Sequence, residues 1–339
     1  MKKTRILALV HDHLVPPTDT TGIDTREAEW KMEYDVIETL RERGHEVSVL
    51  GIHDDLMPIR HRIGTFRPQI VLNLLEAFAG VTTFDQNVVS YLELLRMPYT
   101  GCNPRGLILA RDKALSKKLL AYHRVPVPEF TVVRRGRKAQ LSRKLRFPLM
   151  VKSLFFEASV GISQASVVEN DEQLARRVQF VHEHIGTAAI VEQFIDGREL
   201  YVGVLGNDRL QVFPVWEMSF AKMPENRWRI ATERVKWSTK YQQKHGILTD
   251  AAELPAEFAH GVQHLAKRVY RALDLNGYAR IDLRLGSDGR PFVLEANPNP
   301  NLAYGEDFAE SAERAGLSYE RLLERIVVLG LQWEPERTG

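Results

Sequence analysis

Residues 280–297, RIDLRLGSDGRPFVLEAN, constrain the fold most, because alternating apolar residues flank a strong turn signal. Asp288-Gly289 is typical of a two-residue type I′ turn, in which both central residues need a positive φ. A hairpin centred there places Asp282 opposite Glu295. By the same register Arg280 lies opposite Asn297. We expect one apolar face, packed on a core and formed by Ile281, Leu283, Leu285, Phe292, Leu294 and Ala296.

The other face of this hairpin carries facing carboxylates. Directly opposed side chains have Cβ atoms about 4.5–5.5 Å apart, and like charges there destabilise a sheet. A divalent cation would offset the repulsion, and the oxygen atoms of Asp282, Glu295 and Asn297 suit Mg²⁺. Alternatively, the face is solvated and the repulsion is relieved by Arg280 and Arg284. The hairpin residues by themselves leave both interpretations open.

Composition narrows the class of protein. The chain has 339 residues, 44% of them hydrophobic, which is enough for two or three domains. With 46 basic and 44 acidic residues the net charge is +2, so we expect neither nucleic acid nor a membrane as partner. The single cysteine, Cys102, excludes an intramolecular disulfide and fits the cytoplasm. The apolar run at residues 6–10 is too short for a signal peptide or a membrane span and predicts a first strand.

Strand and helix patterns alternate over the first hundred residues. Strand ILALV precedes a helical pattern over residues 25–43, which ends at Gly44 as a helix should. Strand EVSVLGI, a short helix, strand IVLNLL and a helix near residues 84–95 follow. This βαβαβα order predicts an α/β fold with a parallel, doubly wound sheet.

The remainder of the chain predicts mixed α+β structure. Successive strands over residues 199–217 have no helix between them, and residues 221–250 are polar, which favours an irregular, mobile loop. The other predicted elements are a helix at 112–122, strands PLMVKSL, ISQASVV and AAIVEQFI, and helices at 171–184, 256–273, 307–315 and 318–329.

Short nucleotide-binding fingerprints are absent, since neither GxGxxG nor GxxxxGK[ST] occurs. Lys152 lies in the apolar strand PLMVKSL, where a charged side chain needs an anionic partner. Lys113 opens a helix and by itself is equally well a surface residue. His11 and His13 follow the first strand, at the edge where open α/β sheets bind ligands, although we favour a plain loop there.

Eight segments together, in order along nearly the whole chain, resemble one known family. They are TREAEW, MPYTG, ARDKALSKKLL, LMVKSL…ASVGIS, IVEQFIDGREL, VKW, ARIDLRLGSDGRPFVLEANPNPN and AERAGLSYERLLERI. The chain resembles the ATP-grasp ligases, most closely the D-alanine–D-alanine ligase branch. The resemblance implies an N-terminal doubly wound domain at 1–104 and two α+β subdomains, at 105–191 and 192–335, that sandwich ATP.

The resemblance also implies roles for individual residues. Lys113 and Lys152 match lysines that hold ATP phosphates, Ser159 belongs to the phosphate loop FEASVG, and Glu199 matches the carboxylate on the ribose hydroxyls. The adenine linker corresponds to Glu192, Gln193, Phe194 and Ile195. The catalytic residues and metal ligands correspond to Lys236 over the terminal phosphate, Arg280 at the oxyanion, Glu27 at the first substrate's amino group, and Asp282, Glu295 and Asn297 on two Mg²⁺ ions.

The activity implied is ATP-dependent amide formation. A carboxylate attacks the γ-phosphate to give an acyl phosphate, and an amine then attacks the acyl carbon. The cofactors are ATP and Mg²⁺, with Mn²⁺ as a substitute, the substrates are amino acids or peptides, and the assembly is a homodimer. A non-catalytic ATP-binding regulatory or scaffold protein and an ATP-grasp kinase are the alternatives, and Arg280 together with the metal ligands favours the ligase.

Five positions depart from the family pattern. Ala158 and Trp237 stand where a serine and a tyrosine are expected, and Asn301 stands where a glycine N–H completes the oxyanion hole. Glu306 and Asp307 stand near the place where a serine-leucine pair binds the second substrate's carboxylate. Because acidic groups repel a carboxylate, we expect the main product not to be D-alanyl-D-alanine.

Overall fold

The computed structural model describes residues 3–156 and 159–335. Its first sheet is parallel, with strand order β2-β1-β3, and confirms the predicted alternation of strands and helices. The elements of this part are β1 (Arg5–His11), α1 (Lys31–Glu42), β2 (Glu46–Ile52), α2 (Met57–Phe66), β3 (Ile70–Asn73) and α3 (Asp85–Leu94).

The first helix begins later than its sequence pattern predicts. Residues 25–30 form turns, so α1 starts at Lys31. The Asp24 carboxylate accepts a hydrogen bond from the backbone N–H of Arg26 at 3.1 Å, and the Asp24 carbonyl accepts one from Glu27. Such aspartate-centred turns compete with helix formation, and here they exclude TREAEW from the helix.

The second sheet is antiparallel, with strand order β4-β7-β5-β6. Its part of the chain contains α4 (Pro104–Arg111), α5 (Lys113–Tyr122), β4 (Phe130–Val133), β5 (Leu149–Ser153), β6 (Val167–Val168), α6 (Asp171–Phe180) and β7 (Ala189–Gln193). A π-helical turn, Val181–Ile185, extends α6 to the predicted length. The predicted strand ISQASVV is mostly wrong, because Gln164–Ser166 form a 3₁₀ turn and β6 keeps two residues.

The third sheet has the strand order β11-β10-β8-β12-β13, with β9 paired to β8. Its part of the chain contains β8 (Gly197–Leu205), β9 (Gln211–Val212), β10 (Trp216–Phe220), α7 (Glu233–Trp237), α8 (Thr239–His245), β11 (Ile247–Ala251), α9 (Ala256–Ala272), β12 (Tyr278–Gly286), β13 (Pro291–Pro298), α10 (Asp307–Arg314) and α11 (Tyr319–Gln332). Within the described residues no helix combines the length and the apolar character that crossing a membrane requires.

The segment 221–250 is irregular only over residues 221–232, so the prediction of an irregular loop is wrong for the remainder of the segment. It contains α7, α8 and β11, and β11 pairs with β10. Thr232 caps α7, since its hydroxyl accepts from the Val235 N–H, and Ser238 caps α8 by accepting from the Tyr241 N–H. The polar residues are therefore partly helix caps, which sequence composition does not distinguish from loop residues.

The hairpin of β12 and β13 has the predicted pairing but a different turn. Arg280 pairs with Asn297 and Asp282 with Glu295. Gly286 donates to the Arg290 carbonyl, so the loop has three residues, and the φ of Gly289 is 76° whereas Asp288 has no positive φ. The type I′ prediction is wrong. Its register survives because a bulge in β13 cancels the extra loop residue.

The bulge lies at Leu294, since Asp282 pairs with Glu295 while Leu283 pairs with Val293. Between the bulge and the turn, each residue of β13 therefore points to the opposite face of the sheet from the one predicted. Val293 rather than Phe292 enters the core beside Leu283, and Leu294 lines a cavity instead of the core. The prediction of Phe292 and Leu294 on the core face is therefore wrong.

The C-terminal helix returns to the first sheet. Leu322, Ile326 and Leu329 of α11 share a buried cluster with Ile6 and Ile70. The domain boundaries at 1–104, 105–191 and 192–335 remain our proposal. One sheet falls largely in each range, but β7 crosses the last boundary and α11 packs outside its own range.

An acidic side chain is buried on the inner face of α1. Glu33 is 1% exposed and aligns with Val36, Ile37 and Leu40 on that face. Burial, with a smaller contribution from the charge of Glu76, raises the pKa of Glu33 from 4.5 to about 7, although its own backbone N–H opposes the shift. Because ionisation is harder in the folded protein than in the unfolded chain, this group destabilises the fold as pH rises.

We predict that Gly330→Ala destabilises the protein by about 1–3 kcal/mol, because the new methyl group would overlap the Tyr99 carbonyl oxygen and lie 2.8 Å from Ile70. Gly261→Ala, in α9, is the matched control, because a methyl group there meets nothing within 4 Å. The control should be neutral or stabilising by up to about 1 kcal/mol. Urea unfolding measures both, and equal stabilities of the two variants would contradict the packing of α11 on the first sheet.

We predict that Glu33→Gln becomes stabilising relative to wild type as pH rises. The folded pKa is about 7 and the unfolded value 4.5, so the wild type loses stability across that interval and not below it. The expected gain between pH 4.5 and pH 8 is about 2–3 kcal/mol, measured by urea unfolding at several pH values. Glu42→Gln, exposed on the same helix, should leave the pH profile unchanged. Parallel profiles for Glu33→Gln and wild type would refute the assignment.

Candidate active site

A cavity between the second and third sheets brings together most of the predicted site residues. Its walls come from α5, β5, the end of β7, β8, the segment before α7, and the β12–β13 hairpin. The predicted residues that line it are Lys113, Lys152, Ser159, Glu192, Gln193, Phe194, Ile195, Glu199, Lys236, Asp282 and Glu295.

Lys113 is set at the cavity by a helix cap. The Asp112 carboxylate accepts from the N–H groups of Ala114 and Leu115 at 2.9 Å, so α5 begins at Lys113. The ammonium group of Lys113 donates to the Phe156 carbonyl at 2.8 Å and lies 3.5 Å from a carboxylate oxygen of Glu295. The cap thus fixes a buried cation against the third sheet.

Glu192 lies between two buried lysines. Its Oε2 is 3.1 Å from Lys152 Nζ, and its Oε1 is 3.3 Å from Lys117 Nζ. Burial alone would lower the pKa of Lys152, but Glu192 and Glu295 outweigh burial and raise it. The anionic partner that the sequence requires for Lys152 is therefore Glu192. The sequence did not identify Lys117 as a site residue, because lysines on helices are usually exposed and its neighbours in the sequence do not indicate that it is buried.

The linker after β7 is held by its own side chains and by aromatic contacts. Gln193 accepts from the Arg146 N–H at 3.0 Å and donates to the Pro148 carbonyl at 3.2 Å. Phe194 packs edge-to-face on Trp228, with ring centroids 5.1 Å apart. The linker thereby presents an apolar wall to the cavity, as a planar base would require.

Glu199 faces the cavity from β8. Tyr201 donates its hydroxyl to Glu199 at 3.1 Å, and Arg284 lies 3.8 Å from the other oxygen. Arg284 also lies over the Phe194 ring at 5.3 Å. Arg284 therefore pairs with Glu199 and not with Asp282 or Glu295. The interpretation that Arg284 relieves the repulsion between Asp282 and Glu295 is wrong. The position of Arg284 on the charged face of the hairpin is the sequence feature that indicates its place in the site.

The phosphate loop and the segment around Lys236 are joined. Ser159, at a φ of 61°, donates its hydroxyl to the Ala231 carbonyl at 2.8 Å, and Glu233 donates its N–H to the Ile162 carbonyl at 3.2 Å. Lys236 follows on α7 and reaches the cavity wall. Two hydrogen bonds therefore connect the phosphate loop to the segment that carries Lys236. Ala158 and the side chain of Trp237 lie outside the described part of the chain.

The two facing carboxylates are each surrounded by cations. Arg280 holds Asp282 with two hydrogen bonds, of 2.8 and 2.9 Å. Burial raises the pKa of Asp282 although Arg280 opposes the shift. Burial would also raise the pKa of Glu295, but the cations, chiefly Lys113 and Lys152, outweigh burial and lower it to about 2. Protein cations therefore already offset the repulsion that the hairpin sequence predicts.

The donor atoms of the hairpin fit Mg²⁺ in partnership with phosphate. No group of three or more His, Cys, Asp or Glu is arranged to hold a metal ion within residues 3–156 and 159–335. Asp282 and Glu295 provide two carboxylates, and Asn297 adds an amide oxygen. The amide nitrogen of Asn297 is buried and has no hydrogen-bond partner within the described residues, so it suits an acceptor such as a phosphate oxygen. One or two carboxylates completed by substrate phosphate is the usual protein site for Mg²⁺. Asp282, Glu295 and Asn297 therefore fit a metal that arrives with a nucleotide.

Two acidic residues that do not line the cavity between the sheets, Glu306 and Asp307, adjoin Arg280. Asp307, at the start of α10, has a carboxylate oxygen 3.8 Å from Arg280, and the neighbouring Glu306 is exposed. Asp307 also borders a cavity of about 560 Å³ with Asp250 and Glu310. Glu27, in contrast, lies exposed on the turn before α1 and does not line the cavity between the sheets.

Comparison with known proteins is consistent with this arrangement. The family model described as D-ala D-ala ligase C-terminus matches residues 119–328. A D-alanine–D-alanine ligase of Desulforudis audaxviator is 33% identical over 298 residues, which cover 87% of this chain and 90% of that protein. An uncharacterized protein of Sinorhizobium fredii, y4sG, is 32% identical over 86% of this chain and 85% of its own length.

A solved structure shows the same fold. The crystal structure of D-alanine–D-alanine ligase from Bacillus anthracis complexed with ATP superposes with a TM-score of 0.74 at 23% identity. The match covers 97% of this chain and 98% of that one. Family match, relatives and fold agree: the chain belongs to the D-alanine–D-alanine ligase family of ATP-grasp enzymes, which are ATP-dependent ligases that form carbon–nitrogen bonds.

Proposed function

We propose that the protein uses ATP to activate the carboxylate of an amino acid or peptide and joins it to an amine other than D-alanine. The observation that carries this proposal is the convergence of Lys113, Lys152 and Lys236 with the carboxylates Asp282 and Glu295 on one cavity. A site that only binds nucleotide has little need of buried cations and metal-type carboxylates together. Transfer of a phosphoryl group needs both.

The cations have distinct tasks in this proposal. Lys113 and Lys152 hold phosphate oxygens, and Lys236 lies on the segment that covers them. Arg280 is held rigidly by Asp282 and by the Tyr201 ring, 4.7 Å away, so its position is set before substrate arrives. A preset donor of this kind stabilises an oxyanion at the acyl carbon, typically by about 3–4 kcal/mol.

The nucleotide contacts follow the cavity wall. The apolar linker, Gln193 to Ile195, receives the adenine, Glu199 the ribose hydroxyls, and Ser159 the phosphates. Mg²⁺, two ions in this family and replaceable by Mn²⁺, would be held by Asp282, Glu295 and Asn297 and would neutralise charge on the phosphates. We also propose a homodimer that works in the cytoplasm, from the sequence resemblance and the lone Cys102.

The acidic residues beside Arg280 restrict which amine can act as the acceptor substrate. An α-carboxylate on the acceptor would meet Glu306 and Asp307 beside Arg280, which repel it. An amine without an adjacent carboxylate, or one with a second positive charge, would be attracted instead. The amino group of the first substrate is assigned to Glu27 by sequence resemblance alone, because the turn that carries Glu27 is exposed.

We predict ADP, inorganic phosphate and an amide product when the protein is incubated with ATP, Mg²⁺ and libraries of amino acids and amines. Glu295→Gln should lower turnover at least about 100-fold and stay folded, because a phosphate-bridging ligand is lost. Glu257→Gln, exposed on α9, is the control and should match wild type. ADP with a stable phosphorylated product would instead indicate a kinase, and no ATP turnover a regulatory protein.

We predict that wild type prefers D-alaninamide to D-alanine as acceptor, since the two differ only in the carboxylate. Asp307→Asn should reduce this preference about tenfold in kcat/KM, because one repelling charge is removed. Glu320→Gln, exposed on α11, should leave the preference unchanged. If wild type uses D-alanine better than D-alaninamide, the proposed acceptor class is wrong, although ligase activity itself is not.

A further inference from the structure

The side chain of Lys117 is buried on the same face of α5 as Lys113, one helical turn later. It is 1% exposed. Its ammonium group donates to the Leu294 carbonyl at 2.5 Å and lies 3.3 Å from Glu192 Oε1. Burying a charged side chain costs free energy unless its partners offset that cost. The two groups that Lys117 contacts therefore indicate its role.

The first partner, Leu294, is the extra residue of the bulge in β13. An extra residue in a bulge is left unpaired in the ladder, so its carbonyl needs another donor. Lys117 supplies that donor from a different element. The bulge in turn places Glu295 opposite Asp282, since a slip of one residue would turn Glu295 to the other face.

The second partner, Glu192, is shared with Lys152. Burial lowers the pKa of Lys117, and the charge of Glu192 opposes that shift. With Lys117 protonated, one carboxylate between two ammonium groups leaves a net positive charge at the cavity wall. Without Lys117, Glu192 and Lys152 would form a closed, neutral pair, and Lys152 would be drawn away from an anionic ligand. Lys117 therefore leaves part of the positive charge of Lys152 uncompensated, so that Lys152 can attract an anionic ligand.

We propose that Lys117 is a positioning residue that couples the phosphate-binding lysine Lys152 to the metal-binding hairpin, through Glu192 on one side and the Leu294 bulge on the other. This inference rests on the proposed function, because it assigns ATP phosphates to Lys152 and metal to Glu295. Lys117 itself touches neither the nucleotide nor the reacting atoms in this proposal.

Lys117→Met tests the inference, because methionine keeps the length of the side chain and removes its charge. The KM for ATP should rise about tenfold and kcat should fall, with secondary structure retained by circular dichroism. Lys118→Met, at the exposed neighbouring position on the same helix, is the control and should match wild type in both constants. A folded Lys117→Met variant with wild-type KM and kcat would overturn the inference.

The double variant Lys117→Met/Glu192→Gln separates the two connections. Removing the carboxylate frees Lys152, so the KM for ATP should return to within about threefold of wild type. The Leu294 carbonyl still lacks its donor, so kcat should stay low. A double variant whose KM is no better than that of Lys117→Met would overturn the connection through Glu192, since a merely structural lysine would not be rescued this way.

Two further outcomes are decided in the same assay. If Lys117→Met does not fold, Glu192→Gln is compared with the double variant, in which no buried carboxylate is left unpaired. A lower kcat in the double variant supports the connection to the bulge, and equal kinetics overturn it. Wild type is measured first: no ATP turnover by wild type contradicts the proposed function and this inference with it, whereas turnover with an unaffected Lys117→Met contradicts the inference alone.

Discussion

A buried network of opposite charges joins the two sheets that enclose the cavity. Lys152 and Lys117 meet across Glu192, and Lys113 reaches Glu295 on the facing hairpin. Any of these charges left alone in the interior would cost several kcal/mol, so the network is stable only when both sheets contribute. The relative placement of the sheets is therefore tied to the same groups that can bind phosphate and metal.

The third sheet and the helices after it separate two kinds of surface. Lys113, Lys152 and Lys236 line the cavity between the sheets, whereas Asp307 lies 3.8 Å from Arg280 and does not line that cavity. Arg280 stands between them, held by Asp282 and Tyr201. This division of charge suits a reaction in which an anionic phosphate lies on one side and an amine approaches from the other.

Membership of the ligase family and choice of substrate rest on different parts of the molecule. The family match spans residues 119–328, which include cavity residues such as Lys152 and Glu295 that meet the nucleotide in this proposal. In our proposal, the acceptor is selected by Asp307 at the start of α10 and its acidic neighbours, which do not line that cavity. A chain can therefore keep the chemistry of its relatives while its acceptor changes.

The sequence alone determined the alternating first sheet, because strand and helix periodicity are local signals. It predicted the pairing of Asp282 with Glu295 from a turn of the wrong length, and the pairing holds because the bulge offsets the extra loop residue. Most residues of the cavity were identified by their resemblance to a family and not by local patterns. The sequence did not determine the bulge at Leu294, whose carbonyl accepts a hydrogen bond from Lys117 in a distant helix. Nor did it predict that α11 closes the first sheet, or that Arg284 serves Glu199. These features arise from contacts between segments far apart in the chain, and only the tertiary structure brings such segments together.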